Sequence, residues 1–387
     1  MLKSKFLRGV FIHQAIRTPI AKFGGGFAKV SAPRLAADLL KEGVKRQQRE
    51  PDRVIMGHAR QAGAGPNPAR QATCFSGLSD SIPAWTINQA CASGMAAISQ
   101  ACDQIALGRA EHIWAGGVEA MSQTPYLLPQ TRWGQKLGNQ PLLDGMYQDG
   151  FHCPMADMVM GATVEQLAKE QGISRAEQDA FALHSQQKTQ EALERGFFDT
   201  EIIPIHNGKE LIQKDEHPRS GSTLEGLQKL KPVFDLESGS ITAGNSSGIT
   251  DGAVWLELST DPSNAIAEII DYQTTALDPM YMGLGPVSAT TELLKRNSLK
   301  IEDIDFVELN EAFAAQVIAC QRHLKFPEDK VNVHGGAIAL GHPIGATGAR
   351  ILSTLAHTLN AKSGELGIAT LCVSGGMGFS VLIRTSI

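Results

Sequence analysis

The five residues Asn88-Gln89-Ala90-Cys91-Ala92 have a partial echo 222 positions later (88 to 310), in Asn310-Glu311-Ala312-Phe313-Ala314. A little further on, Ala115-Gly116-Gly117 matches His334-Gly335-Gly336 at an offset of 219 (115 to 334), with Ile113-Trp114 and Asn332-Val333 as the strands before those glycines. A nearly constant offset is the mark of a duplication. A chain of 387 residues is also too long for one ordinary core, so two similar halves are expected to share the burial. Within the first half, short apolar runs alternate with helical spacing. Val10-Phe11-Ile12, Val54 to Gly57, Pro83 to Ile87 and His112 to Ala115 read as strands, the last ended by Gly116-Gly117. Ala32 to Lys45 and Met95 to Ala106 carry apolar residues three and four apart, and Pro68 stands where a helix starts. Strands alternating with helices give an α/β layered fold.

Between the halves the character of the chain changes. Tyr126 to Gly150 is rich in Gln, Pro, Gly and aromatics and lacks strand rhythm. Thr163 to Arg195 is helical, with a capping box at Ser174 and Glu177, and Gly208 to Lys231 is charged and loop-like. We therefore expect an N-terminal half over 1–120 and 249–269, an inserted loop domain over 121–248, and a C-terminal half over 270–387.

Composition narrows the partners. The net charge of −5 argues against a general nucleic-acid or membrane binder, so any polyanionic ligand must meet a local basic patch. No run of about 18 apolar residues occurs. The basic N-terminus lacks a secretory apolar core, and the last residues are not a peroxisomal tripeptide, which makes the cytoplasm the expected location. The six cysteines, at 74, 91, 102, 153, 320 and 372, are too scattered for a disulfide scaffold or a metal site and are expected to be reduced thiols.

Two cysteines carry chemistry. Cys91 sits at a strand-to-helix junction, where helix N–H groups and the dipole are expected to lower a thiol pKa, although a buried cysteine packing as a small hydrophobe is the alternative. Cys372 lies in the glycine-rich run Cys372-Val373-Ser374-Gly375-Gly376-Met377-Gly378, where backbone can come close to a reacting group. A cysteine with a distant histidine and asparagine is compatible with a cysteine hydrolase. A hydrolase needs no second thiol, however, whereas a carbon–carbon bond-forming acyl transferase needs a base for an α-proton.

Taken with Asn310-Glu311-Ala312-Phe313, Gly341-His342-Pro343-Ile344-Gly345-Ala346-Thr347-Gly348 and Thr242-Ala243-Gly244-Asn245-Ser246-Ser247-Gly248, these stretches resemble the thiolase family in the family's own order. The resemblance implies a duplicated five-stranded α-β-α-β-α core with an inserted loop domain. It implies that Cys91 is the acyl-accepting nucleophile, that His342 deprotonates it, and that Cys372 exchanges the α-proton. Asn310, through a water, and His342 would form one oxyanion site; the N–H groups of Cys91 and Ser374 would form the other. Ser247 and Gly248 would lie along the pantetheine of coenzyme A, Arg219 and Lys229 would meet its phosphates, and Met160 and Met282 would border the acyl pocket. Coenzyme A would be substrate, with no tightly bound cofactor and no metal, and the family implies a homodimer or homotetramer.

Two positions depart from the family pattern. Ser374 replaces a glycine, which is costly if that position needs positive φ and silent if only its N–H is used. Val159 replaces the histidine usual in short-chain biosynthetic members, which favours longer acyl chains. The expected activity is acetyl-CoA C-acetyltransferase. The alternatives are a degradative 3-ketoacyl-CoA thiolase of broader chain length and a non-catalytic acyl-CoA- or lipid-binding protein of the same fold. A ketoacyl synthase, with two histidines beside its cysteine, fits less well because of the Cys372 loop.

Overall fold

The computed structural model describes residues 3–46 and 49–386. Nine strands form the main path of one large mixed sheet: β1 Val10–Arg17, β2 Arg53–Gly57, β3 Ala84–Ile87, β4 His112–Ala120, β5 Thr250–Ser259, β6 Ala267–Ala276, β7 Phe306–Leu309, β8 Leu366–Val373 and β9 Met377–Thr385. Their spatial order is β7-β8-β9-β6-β1-β5-β4-β2-β3, with Ala21–Lys22 pairing off this path to β5. The halves meet where Val10, Phe11 and Ile12 pair with Ile269, Glu268 and Ala267.

Counted within each half, the strand order is the same. The first half runs third-second-fourth-fifth-first, and the second half repeats this with Val331 in the third place, where it makes a single parallel bridge to Val307 instead of a full strand. The duplication is therefore a property of the topology, but its register is not the one expected from the short matches. The end of β2 corresponds to the end of β7 (57 to 309), and β4 corresponds to β8 (112 to 366), an offset near 250 rather than 222. Asn310 is thus the counterpart of His58, not of Asn88. The short matches reflect similar turn chemistry after strands, which recurs at non-equivalent places.

The ten helices described are α1 Ala32–Arg46, α2 Pro68–Ser76, α3 Ser93–Ala106, α4 Met160–Glu170, α5 Arg175–Glu194, α6 Leu224–Gln228, α7 Gly285–Arg296, α8 Ala314–Leu324, α9 Ala337–Leu340 and α10 Ile344–Lys362. Helices α1 and α2 pack Leu35, Leu39 and Ala72 on the outer face of the first half. On the second half, α7 and α8 pack Leu293, Val317 and Cys320. The inner layer is α3 and α10, whose Met95, Ile98, Leu352 and Leu355 share one cluster with strands of both halves. The two central helices pack against each other, α10 also packs against strands of both halves, and α10 is buried on every face from Ile344 to Ala356, the polar Thr347, Arg350, Ser353 and Thr354 included.

Three expectations are corrected or sharpened here. Gly116 and Gly117 do not end β4, which continues to Ala120; they lie within it. A Cβ on Gly117 would stand 2.1 Å from the carbonyl oxygen of Gly345, so the missing side chain lets the start of α10 lie against the strand. The helical stretch Thr163 to Arg195 is two helices, broken at Gly172 with φ +59° and restarted at the Ser174–Glu177 capping box. Strand β6 also runs through position 270, so the expected 269/270 boundary falls within a strand.

The segment between β4 and β5 is fastened to the sheet by a buried ion cluster. Arg17, at the end of β1, donates from Nε to Glu201 at 2.5 Å and from both Nη atoms to Asp215 at 2.7 and 2.9 Å. Asp215 also accepts from the Ile20 N–H, and Glu201 from Thr354 of α10. All three charged side chains are fully buried. Among the described residues, no helix is long and apolar enough to cross a membrane.

Candidate active site

Cys91 stands in a tight turn between β3 and α3. Ala90, just before it, adopts φ 47°, a left-handed conformation rare for a residue with a Cβ. Hydrogen bonds hold it there: Ser93 Oγ donates to the Ala90 carbonyl at 2.6 Å and accepts from the Gln89 N–H at 2.9 Å, while Asn88 Oδ1 accepts from the Ala90 N–H. A strained turn of this kind persists when its surroundings over-determine it, and it presents the next side chain to the cavity. The thiol pKa, however, is raised rather than lowered. Burial is the largest cause and outweighs the Arg60 charge and the N–H groups of Ser374 and Cys91 itself, which act the other way. Helix α3 begins only at Ser93, so Cys91 lies outside the turn where the dipole is strongest.

His342 lies before α10, its N–H bonded to the Gly248 carbonyl at 3.1 Å. Its ring Nδ1 is 2.6 Å from Thr347 Oγ1, and that hydroxyl donates to the Pro343 carbonyl at 3.0 Å. With its proton committed there, the hydroxyl accepts from Nδ1–H, which leaves Nε2 as the basic nitrogen. Burial, with the charges of Arg350 and Arg60, lowers the His342 pKa to about 3. The imidazole is therefore neutral at pH 7, with Nε2 unprotonated.

Cys372 is the penultimate residue of β8 and is 1 % exposed. Burial, with Cys91 and Cys320 nearby, holds its thiol well above the usual range, so it too rests protonated. Gly375 and Gly376 take φ of 87° and 77°, whereas Ser374 is not in the left-handed region. Serine therefore costs no backbone strain at 374, and its N–H still reaches the Cys91 thiol. We expect Ser374→Gly to change thiolysis kcat/KM by less than about threefold, since the N–H it supplies is unchanged. A larger loss in steady-state kinetics would assign the hydroxyl a role.

These groups share one cavity of about 480 Å³. Cys91, His342, Cys372 and Ser374 line it, as do Met160, Met282, Val159, Arg219, Ser247 and Gly248. Two expected site residues are not on its wall. Lys229 caps the C-terminus of α6 away from the cavity lining. Asn310 is fully buried behind the lining residues Ala312 and Phe313, with neither amide atom hydrogen-bonded.

The segment 242–248 ties the parts together. Ser247 donates its N–H to the Ala312 carbonyl, Ser246 bridges to Phe313, and Gly248 receives the His342 N–H. Gly248 is required by the ring of His217, whose Nε2 would lie 1.8 Å from a Cβ.

Sequence reasoning missed three groups. Glu119, at the end of β4, is fully buried and accepts from the N–H groups of Ala59, Arg60 and Gly345. It also faces His58 Nε2 at 3.1 Å. One carboxylate thus anchors both the loop after β2 and the first turn of α10, beside His342. Burial opposes its ionisation, but His58 and Arg60 hold its pKa below the usual value. His217 and Arg60 line the cavity without belonging to any recognisable motif. Only a charged residue after an apolar strand hinted at Arg60.

With the geometry described, the relatives can be set beside it. The thiolase N-terminal domain matches residues 10–260 and the thiolase C-terminal domain matches 263–385. Acetyl-CoA acetyltransferase of Escherichia coli is 44% identical over 392 residues, covering 98% of this chain and 99% of its own. A probable acetyl-CoA acyltransferase of Staphylococcus epidermidis is also 44% identical, over 97% of this chain and 98% of its own. Among solved structures, the acetyl-CoA acetyltransferase of Bacillus anthracis superposes with a TM-score of 0.95 at 42% identity, covering 99% of this chain and all of that one (100%). Human mitochondrial 3-ketoacyl-CoA thiolase in complex with CoA gives 0.94 at 38% identity, over 99% of each chain.

Proposed function

From the premise that the chain belongs to the thiolase family, we propose that it is an acetyl-CoA C-acetyltransferase, an acyltransferase working through an acyl-Cys91 thioester. The observation that carries this reading is the convergence of Cys91, His342 and Cys372 on one cavity wall. Their resting protonation states suit the chemistry: two neutral thiols and a neutral imidazole.

In the thiolysis direction, Cys91 gives its proton to His342 Nε2 and its sulfur attacks the C3 carbonyl of a 3-ketoacyl-CoA. The N–H groups of Cys91 and Ser374 receive the developing oxyanion. The C2–C3 bond breaks, and the departing acetyl-CoA enolate takes the Cys372 proton. Its oxygen is held by protonated His342 and by a water bound to Asn310. Coenzyme A then passes its thiol proton to the Cys372 thiolate and attacks the thioester. Cys91 leaves and recovers its proton from His342. Condensation is the same sequence reversed, and every proton returns to its origin.

Ser247 and Gly248 would run along the pantetheine, with Arg219 at the mouth meeting phosphate; Met160 and Met282 would border the acyl chain. Residues 121–248 would serve as a loop domain laid over the site. A cytoplasmic homodimer or homotetramer, with coenzyme A as substrate and no resident cofactor, completes the reading. Reduced thiols at Cys91 and Cys372 fit that compartment.

Incubation with acetyl-CoA should add one acetyl group by intact mass, and Cys91→Ala should abolish the adduct. An adduct that survives the substitution would overturn the nucleophile assignment. The second reading, a broader 3-ketoacyl-CoA thiolase, rests on Val159 in the cavity wall in place of a polar group. Thiolysis that persists as the acyl chain lengthens would select it, whereas activity confined to acetoacetyl-CoA would select the first.

A further inference from the structure

Three cationic side chains of Lys or Arg line the cavity, and no Asp or Glu does. Lys22 and Arg219 are exposed and lie at its mouth, where the phosphates of coenzyme A would account for them. Arg60 is different. It is only 7 % exposed, and among the described residues no carboxylate lies within ion-pairing distance of its guanidinium. Its one hydrogen bond is from Nη1 to the Asp149 carbonyl at 3.0 Å, and its buried Nε has no partner.

The guanidinium sits in a prepared place. Gly150 lies flat against it, and a Cβ there would be 2.2 Å from Cζ. The Phe151 ring faces it at 5.9 Å, and Phe151 packs in the same small cluster as Cys91. Arg60 is also the charged group that acts most strongly on the Cys91 thiol. Glu119 supplies a partial counter-charge without touching the guanidinium, so a cation held in a wall with Phe151, Val159 and Ile344 lacks a direct partner, an arrangement that a bound anion would complete. A guanidinium on the cavity wall with one hydrogen bond and no direct carboxylate partner suits a bound carboxylate better than any neutral group.

Resting on the thiolase reading, we propose that Arg60 binds a carboxylate on the acyl chain, so that the preferred substrates are CoA thioesters of 3-oxo dicarboxylic acids. Thiolysis leaves the carboxylate-bearing fragment on Cys91, beside Arg60, while acetyl-CoA departs. The residue acts in specificity and takes no part in the proton transfers.

The test compares thiolysis of two six-carbon 3-oxoacyl-CoAs, one ending in a methyl group and one in a carboxylate. The wild type should favour the carboxylate by about tenfold or more in kcat/KM, and Arg60→Leu should shift that ratio toward the methyl substrate by at least about a hundredfold. Arg60→Lys, which keeps the charge, should restore part of it. A wild-type preference for the methyl substrate, or an Arg60→Leu variant that slows both equally, would overturn the proposal. The wild-type ratio decides the matter even if Arg60→Leu does not fold. Loss of thiolysis on every substrate, acetoacetyl-CoA included, would instead defeat the thiolase reading itself.

Discussion

Replacing Cys372 by alanine should leave acetylation of Cys91 by acetyl-CoA detectable while lowering thiolysis and condensation by about 10³- to 10⁴-fold, the upper range for losing one general acid–base group. The separation follows from what each thiol must do. Thioester exchange at Cys91 needs the His342 base and fixed N–H groups, and a departing CoA thiolate is stable enough to leave unaided. Breaking the C2–C3 bond generates a carbanion equivalent, which needs a proton donor beside it. Cys372 is buried and held protonated well above the usual thiol range, the state such a donor requires. Single-turnover acetylation followed by mass spectrometry, set against steady-state thiolysis, measures both effects on one preparation. Equal loss of acetylation and thiolysis would show that the two thiols do not divide the work.

Replacing Arg17 by methionine should cost about 3–5 kcal/mol of stability, the loss expected when one side of a buried ion cluster is removed. Glu201 and Asp215 would remain buried without their shared partner, each still fixed by other bonds to the chain. Urea unfolding at pH 7, with m held fixed, reads the loss. A shift below about 1 kcal/mol at pH 7 would mean that water or rearrangement compensates the acids, and that the cluster does not fasten the segment between β4 and β5.

The parts of the site that were legible in sequence are those whose chemistry is carried by contiguous residues. The turn at Cys91, the His342 loop and the Cys372 loop each need a local backbone shape, which leaves glycines and small residues beside the reactive one. What was not legible depends on the fold bringing distant segments together. Lys229 has the right charge but lies off the cavity lining. Arg60 and Glu119 meet the site only because β2 and β4 end side by side in the sheet. The repeat was visible but misregistered, because five-residue likenesses follow turn chemistry whereas true equivalence follows strand order. The glycines of β4 were read as a stop for the same reason: a close approach by Gly345, 228 positions away (117 to 345), leaves no local trace.

The matching strand order of the halves has a consequence for how such a site can arise. Cys91 belongs to the first half, and His342 and Cys372 belong to the second, so neither half alone holds a working set. A half paired with a copy of itself would offer the same turn twice, two thiols or two imidazoles facing one another. Only when both copies lie on a single chain, and are inherited as separate stretches of it, can one turn become the acceptor and its counterpart the base. Asymmetric chemistry on a nearly symmetric scaffold thus depends on the peptide link between β5 and β6, seven residues (260–266) that touch no reacting atom.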